Sequence, residues 1–144
     1  SNASTSALQV CAERTSRLAR IKTLGNKTAV QSRTAIESIL KGYPQWLRRS
    51  ITYDNGSENI EHMTLNKAIG TRSYFCEPYH SWEKGTVENT NGLIRRFLPK
   101  KTDFAKISEE RIAEIEMWLN NRPRKCLGFR TPAEVFNGFV ALAP

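Results

Sequence analysis

The chain has 144 residues, which is enough for one domain with a buried core. Hydrophobic residues make up 39% and charged residues 25% of it, a balance that excludes a disordered chain. No apolar run reaches the roughly 18 residues of a membrane-spanning helix, so we expect no membrane partner. There are 22 lysines and arginines against 14 acidic residues, a formal charge of +8. That excess favours a nucleic-acid partner, although a basic protein without one has the same composition.

The three cysteines, Cys11, Cys76 and Cys126, lie far apart in the chain. A zinc site needs clustered thiolate or imidazole ligands, so the spacing argues against one. Widely spaced, unpaired cysteines are typical of a reducing, cytoplasm-like compartment. Residues 1–3 (SNA) resemble the remnant of a cleaved tag, so we expect the folded domain to occupy residues 4–144.

The first half of the chain alternates short apolar runs with segments of helical periodicity. Two runs separated by polar residues predict a β-hairpin. The helix that follows is expected to place Val30 on its apolar side, to have Gly42 as its C-terminal cap and to stop before Pro44. The predicted elements are strands over 7–13 and 17–23, a helix over 27–41, a strand over 49–53, a helix over 58–68 that Gly70 closes, and a strand over 72–76.

The second half of the chain is predicted to be helical. One helix is expected over 83–98, where Pro99 stops it, and Ser108 is expected to cap another that runs to Asn121. Residues 131–134 (TPAE) form a capping box with proline at the first helical position, which predicts a terminal helix.

The predicted order of elements is β-β-α-β-α-β-α-α-α, which excludes an all-helical module. It indicates an α/β fold with a mixed sheet flanked by helices. The hairpin predicts an antiparallel part of that sheet, and strands separated by helices predict parallel pairing.

Asp54 is one of only two aspartates in the chain and lies at the end of a predicted strand. Ligands of open α/β sheets bind at the carboxyl ends of the strands. Asn55 and Gly56 add a sharp turn that can present the carboxylate outward. The alternative reading is that this tripeptide is only a turn.

Glu88 begins a predicted helix in which Gly92 follows one turn later. A glycine inside a helix costs roughly 1 kcal/mol relative to alanine. Its presence is easier to explain if a backbone or ligand approaches closely beside Glu88. A solvated helix face is the simpler alternative. Mg²⁺ prefers carboxylate oxygens, and two such ions support phosphodiester chemistry.

The sequences around both acids resemble known motifs. Residues 51–58 (ITYDNGSE) resemble the second acidic motif of DDE transposases and retroviral-type integrases, and residues 74–95 resemble the third. Residues 120–125 (NNRPRK) and 131–134 (TPAE) are similar to the insertion-sequence thirty family of bacterial transposases. The resemblance covers essentially the whole chain after residue 3.

The resemblance implies a ribonuclease-H-like fold and metal-dependent cleavage and transfer of DNA strands. It implies that Asp54 and Glu88 are the second and third catalytic carboxylates and that both bind metal, with two Mg²⁺ or Mn²⁺ ions in the intact site. The implied partners are transposon-end and target DNA, in a bacterial cytoplasm in association with the nucleoid.

The family's first catalytic aspartate lies on a strand ahead of the hairpin, and no aspartate precedes Asp54 here. We therefore expect that strand to be missing from the chain. We expect the chain to bind metal weakly and not to cleave DNA. We also expect a homodimer or higher oligomer, because an unpaired strand edge is a template for another copy.

Other residues are assigned supporting roles. Three polar residues are expected to support the carboxylates, and eight cations are expected to contact DNA, although a charge run is often only a solvated face. The supporting residues are Asn55, Glu58 and Asn91, and the cations are Lys84, Arg95, Arg96, Lys100, Lys101, Arg122, Arg124 and Lys125.

Two other functions fit parts of the sequence. A non-catalytic nucleic-acid-binding module agrees with the basic charge and with the absence of an aspartate before Asp54. A ribonuclease-H-like nuclease that cuts RNA in hybrids is disfavoured, because residues 120–123 (NNRP) resemble transposases instead.

Overall fold

The computed structural model describes residues 5–54, 56–76 and 85–142. It confirms the mixed α/β architecture, and each predicted element is present with its ends shifted by a few residues. The strands are β1 (Ala7–Ala12), β2 (Ala19–Leu24), β3 (Ser50–Tyr53) and β4 (Arg72–Phe75). The helices are α1 (Ala29–Leu40), α2 (His62–Ile69), α3 (Gly85–Ile94), α4 (Glu109–Asn120) and α5 (Pro132–Ala141). Among the described residues, no helix has the length and apolar character needed to cross a bilayer.

The chain divides into two compact units. The first comprises Ser1–Gln9 and Lys22–Gly85, and the second comprises Val10–Ile21 and Thr86–Pro144. The hairpin of β1 and β2 therefore contributes its open end to the first unit and its turn to the second. Glu13 accepts hydrogen bonds from the backbone nitrogens of Thr15 and Ser16 in that turn.

The described strands form two pairs. β1 pairs with β2, and β3 pairs with β4. β3 and β4 run parallel, as predicted for strands separated by a helix, and Tyr53 lies opposite Phe75 in the register. The carboxyl ends of β3 and β4 therefore lie side by side.

In the first unit, α1 buries Ala35 and Ile36, and α2 buries Leu65 and Ile69. The prediction for Val30 was wrong, because its side chain is 55% exposed in the first turn of α1.

The C-terminal caps of these two helices differ. The prediction of a left-handed cap at Gly42 was also wrong, since α1 ends at Lys41 in a right-handed conformation and no positive φ is found at Gly42. A left-handed cap closes α2 instead, at Gly70 with φ of 66°. Only the second helix therefore ends on a residue for which the backbone requires glycine.

The core of the second unit is apolar. It is formed by one face of each helix together with one residue after α3. The contributing residues are Ile94 at the end of α3, Leu98 after it, Ile112, Ile115 and Leu119 of α4, and Val135 and Phe136 of α5. The two predicted caps are confirmed: Ser108 Oγ accepts from the Arg111 nitrogen at 3.1 Å, and Thr131 Oγ1 accepts from the Glu134 nitrogen at 3.1 Å.

Polar side chains of α4 hold β2 in the second unit. Asn120 is buried, donates to the Ala19 carbonyl at 2.8 Å and accepts from the Ala19 nitrogen at 2.8 Å. Glu116 accepts from the Ile21 nitrogen at 2.9 Å and from Arg20 at 2.8 Å. These bonds replace the pairing that the backbone groups of β2 would otherwise seek.

Candidate active site

Asp54 follows β3 directly and is exposed. Its predecessor Tyr53 is buried and stacks on Phe75 of β4, with ring centroids 5.5 Å apart. The Cys76 nitrogen donates to the Tyr53 carbonyl at 2.9 Å, so the parallel pairing continues to the residue before Asp54. An anchored strand thus ends on an exposed carboxylate, as the sequence predicted.

The Asp54 carboxylate is held by its own turn. Its Oδ1 accepts from the Gly56 nitrogen at 3.0 Å and from Asn59 Nδ2 at 2.9 Å. Asn59 also donates to the Asp54 carbonyl at 3.2 Å. The first bond is a typical aspartate turn, whereas the role of Asn59 was not predicted. The 3-10 turn Ser57–Asn59 brings Asn59 back to Asp54, and nothing in the local sequence pattern signals that contact.

The other residues predicted to support Asp54 are placed differently. Glu58 Oε1 pairs with Lys27 Nζ at 3.1 Å, and no hydrogen bond joins Glu58 to Asp54 among the described residues. The Glu58 carboxylate lies where a Cβ of residue 56 would be; a larger residue there would require this flexible side chain to move aside. Asn55 lies outside the described residues.

Glu88 lies in the first turn of α3 and is exposed. Within 5–54, 56–76 and 85–142 its carboxylate has no hydrogen-bond or ion-pair partner. The buried face of α3 passes through Thr90 and Ile94, so Asn91 is exposed on the other side with Glu88. Apart from the two neighbouring residues and the backbone of α3 itself, no described atom lies within 4 Å of the position that a Cβ of residue 92 would take, so the surface of α3 at Gly92 is open.

The start of α3 is tied to the hairpin turn within the second unit. Arg17 donates to the Thr86 hydroxyl, and Thr90 Oγ1 donates to the Thr86 carbonyl at 2.9 Å. These bonds fix the turn of helix that bears Glu88.

The predicted DNA-contacting cations all lie in the second unit, apart from Lys84, which is outside the described residues. Arg95 donates to the carbonyls of Leu98 and Pro99 at 3.3 Å each, so it also closes the turn after α3. The exposed cations of the same stretch are Arg96, Lys100 and Lys101.

Arg122 differs from these, because its guanidinium lies 4.4 Å from the ring centroid of Trp118. Trp118 also contacts Phe97 edge to face at 4.8 Å while remaining 37% exposed. Trp118 therefore packs at the edge of the core rather than within it.

The carboxylates of Asp54 and of Glu88, each considered separately, suit a hard divalent ion. Asp54 Oδ2 and both oxygens of Glu88 accept no hydrogen bond within the described ranges, and carboxylate oxygens are the ligands that Mg²⁺ and Mn²⁺ prefer. Asp54 lies in the first unit and Glu88 in the second. No group of three or more histidine, cysteine, aspartate or glutamate side chains placed to hold a metal occurs in the described part of the chain.

The chain is similar to curated transposases. It is 41% identical over 130 residues to the transposase InsI of insertion sequence element IS30A from Escherichia coli, covering 90% of this chain and 34% of that protein. It is 41% identical over 136 residues to the transposase of IS1086 from Cupriavidus metallidurans, covering 94% of this chain and 40% of that protein. The chain thus spans about a third of the length of these relatives. No protein-family model matches it.

The fold is similar to a solved integrase domain. The catalytic core domain of BIV integrase superimposes with a TM-score of 0.73 at 22% identity, covering 94% of this chain and 88% of that one. This likeness shows the fold and confirms the ribonuclease-H-like class. The chain is therefore a homologue of the IS30-family transposases over a segment that has the integrase catalytic-core fold.

Proposed function

We propose that this chain is the catalytic-core segment of a DNA transposase that cleaves and joins DNA strands with divalent metal ions. The observation that carries the proposal is Asp54: an exposed carboxylate, held by two hydrogen bonds, at the carboxyl end of the parallel pair of β3 and β4. The similarity to the IS30-family transposases supports it. The core is proposed to comprise residues 4–144.

Asp54 and Glu88 are proposed as the second and third metal-binding carboxylates. Gly56 and Asn59 bind Oδ1 of Asp54, which leaves Oδ2 directed by the same turn and available to a metal. Glu88 is fixed only through the backbone of α3. When bound, Mg²⁺ or Mn²⁺ ions activate the attacking oxygen and stabilise the leaving oxygen of a phosphodiester.

DNA is proposed to approach the open backbone of α3 at Gly92, where no described side chain intervenes. The exposed cations Arg96, Lys100 and Lys101 follow that helix and would neutralise phosphates, which makes binding dependent on salt. The duplexes proposed are transposon ends and target DNA, bound by a dimer or higher oligomer on the bacterial nucleoid.

The 144-residue chain alone is proposed to bind metal weakly and not to cleave DNA. Its only aspartates are Asp54 and Asp103. Asp103 instead caps a 3-10 turn, accepting from the Ala105 nitrogen at 3.1 Å. The three-carboxylate site implied by the family resemblance is thus one aspartate short within this chain.

Titration calorimetry with Mn²⁺ tests the metal site. Asp54→Asn and Glu88→Gln should each weaken binding by about tenfold, because each removes a charged oxygen ligand. Asp103→Asn is the control for Asp54. Glu109→Gln is the control for Glu88, since it removes the same charge from another exposed first-turn glutamate. Both controls should leave the Mn²⁺ affinity within about twofold of the wild type.

Two results would contradict parts of the proposal. If the site variants have the same Mn²⁺ affinity as their controls while the chain still binds DNA, the chain is a non-catalytic DNA-binding module. If the wild-type chain nicks supercoiled plasmid with Mn²⁺ and Glu88→Gln does not, the proposed inactivity of this chain is wrong.

A further inference from the structure

The loop between α4 and α5, residues 122–130, exposes an aromatic ring on an ordered backbone; we refer to it as the basic loop. Phe129 is 70% exposed and makes no ring contact within the described residues. Its φ is 66°, directly after Gly128 at 64°. A bulky residue in this left-handed region is uncommon, because its Cβ crowds the following carbonyl. The backbone thus holds Phe129 in an unfavourable conformation in which the ring faces solvent.

Hydrogen bonds fix this conformation. The Arg124 nitrogen donates to the Arg130 carbonyl at 3.0 Å, and the Phe129 nitrogen donates to the Arg124 carbonyl at 2.9 Å. The Leu127 side chain is buried, and Arg130 Nε donates to the Leu127 carbonyl at 3.1 Å. The exposed ring is therefore presented by a closed turn rather than by a frayed segment.

The charged residues of the basic loop are all positive. Arg124 and Arg130 are the opposed pair of an antiparallel bridge, so their side chains leave the same face of the loop. Like charges placed directly opposite destabilise such a pair. Lys125 adds a third charge, and residues 122–133 contain no aspartate or glutamate. In the described part of the chain none of these three cations has a carboxylate partner, so the loop lacks an anion that would relieve the repulsion.

We propose that the basic loop binds an unpaired nucleotide of DNA, with a phosphate between Arg124 and Arg130 and the base stacked on Phe129. Aromatic rings bind unpaired bases without regard to sequence, and neighbouring cations bind the backbone. The inference rests on the proposed function, because a DNA strand that is cut or opened exposes unpaired bases. A second copy of the chain is disfavoured as the occupant, since it also carries a net charge of +8.

The test compares two DNA probes: a blunt duplex, and the same duplex with a short single-stranded overhang carrying 2-aminopurine. Phe129→Leu should weaken overhang binding by about tenfold and abolish the quenching of 2-aminopurine that stacking causes. Binding of the blunt duplex should change by less than about twofold. Tyr74→Leu is the control, because Tyr74 is another exposed aromatic residue, 54% accessible, on β4; it should leave binding of both probes and the quenching unchanged.

The charge arm uses the double variant Arg124→Gln with Arg130→Gln. It should weaken binding of the overhang probe. It should also reduce the magnitude of the slope of log affinity against log salt concentration by about one, as expected for a lost phosphate contact. Lys67→Gln with Lys106→Gln removes the same charge elsewhere and should leave both quantities unchanged.

A folding control separates binding from stability. Phe129→Gly should melt at the same temperature as the wild type or higher, because glycine adopts a φ of 66° without strain. The same variant should bind the overhang probe as weakly as Phe129→Leu. Lost binding together with a lowered melting temperature in both variants would contradict the inference.

The remaining outcomes are distinct. If Phe129→Leu binds and quenches like the wild type, the inference is wrong, while salt-dependent DNA binding leaves the proposed function intact. If the wild type binds neither probe at low salt, both are wrong. If Phe129→Leu changes only the sedimentation of the protein, the basic loop is a contact between copies and the inference is again wrong.

Discussion

Asn59 in the first unit and Asn120 in the second unit have the same side-chain amide but use it in different ways. Asn59, in the first unit, lies in an exposed turn and donates to a carboxylate and a carbonyl of Asp54. Asn120, in the second unit, is buried and satisfies both the nitrogen and the carbonyl of Ala19. Water can replace Asn59 but has no access to Ala19, so the first amide orients a side chain and the second stabilises the fold.

This difference separates residues of the fold from residues of the candidate site. Removing a partner from a buried backbone group leaves it unsatisfied, which costs about 1–3 kcal/mol per group. Removing a partner from an exposed carboxylate costs little stability, because water takes its place. Stability and metal affinity should therefore respond to different substitutions.

The largest effect is expected for Asn120→Ala. Both backbone groups of Ala19 lose their partner, so the free energy of unfolding should fall by about 2–4 kcal/mol in a urea titration. Asn121→Ala is the matched control, since Asn121 is exposed and bonds only to the Met117 carbonyl within the described residues. The control should stay within about 0.5 kcal/mol of the wild type. Equal effects of the two variants would remove the distinction between buried and exposed amides.

Glu116→Ala should have the next largest effect. It leaves the nitrogen of the buried Ile21 without its acceptor and removes the pair with Arg20, so unfolding should become easier by about 1–2 kcal/mol. Glu114→Ala on the same helix removes only the exposed pair with Arg111 and should cost less than about 0.5 kcal/mol. If the two variants unfold at the same urea concentration, Glu116 acts only as a surface charge.

The contrast also explains what the sequence could predict. The caps at Ser108 and Thr131 were predictable because the capping oxygen and the nitrogen it binds lie three residues apart. Asp54 was predictable because a strand and a turn adjoin it.

The missed contacts have a physical reason as well. The bond from Asn120 to Ala19 spans 101 positions in the sequence and leaves no periodic signal. The contact of Asn59 depends on a 3-10 turn whose exit direction is set by tertiary packing. The prediction for Val30 failed because periodicity identifies which face of a helix is apolar. It does not show whether other elements cover that face at the first turn, where Val30 lies.

Asn59→Ala should change metal affinity and not stability. Asp54 loses the donor that orients its carboxylate, so Mn²⁺ affinity should fall by about tenfold, a typical effect of losing a group that hydrogen-bonds a metal ligand. The free energy of unfolding should change by less than about 0.5 kcal/mol. Asn59→Leu keeps a similar side-chain size but cannot donate a hydrogen bond to Asp54. It should therefore lower the Mn²⁺ affinity as much as Asn59→Ala does. If Asn59→Ala instead lowers the free energy of unfolding by about 2 kcal/mol, Asn59 stabilises the fold as Asn120 does.

The smallest effect is expected for Glu58→Gln. Its side chain is 16% exposed and pairs with Lys27, whose side chain is 65% exposed. Because water screens the pair on the lysine side, it should contribute about 0–1 kcal/mol and weaken with salt. The variant should therefore lose less than about 0.5 kcal/mol of stability, and Lys27→Gln should match it. Because Glu58 makes no hydrogen bond to Asp54 in the described part of the turn, its loss should affect Mn²⁺ affinity by less than about twofold. If Glu58→Gln weakens Mn²⁺ binding as much as Asn59→Ala at both low and high salt, Glu58 supports the proposed metal ligand Asp54 directly, as the sequence predicts.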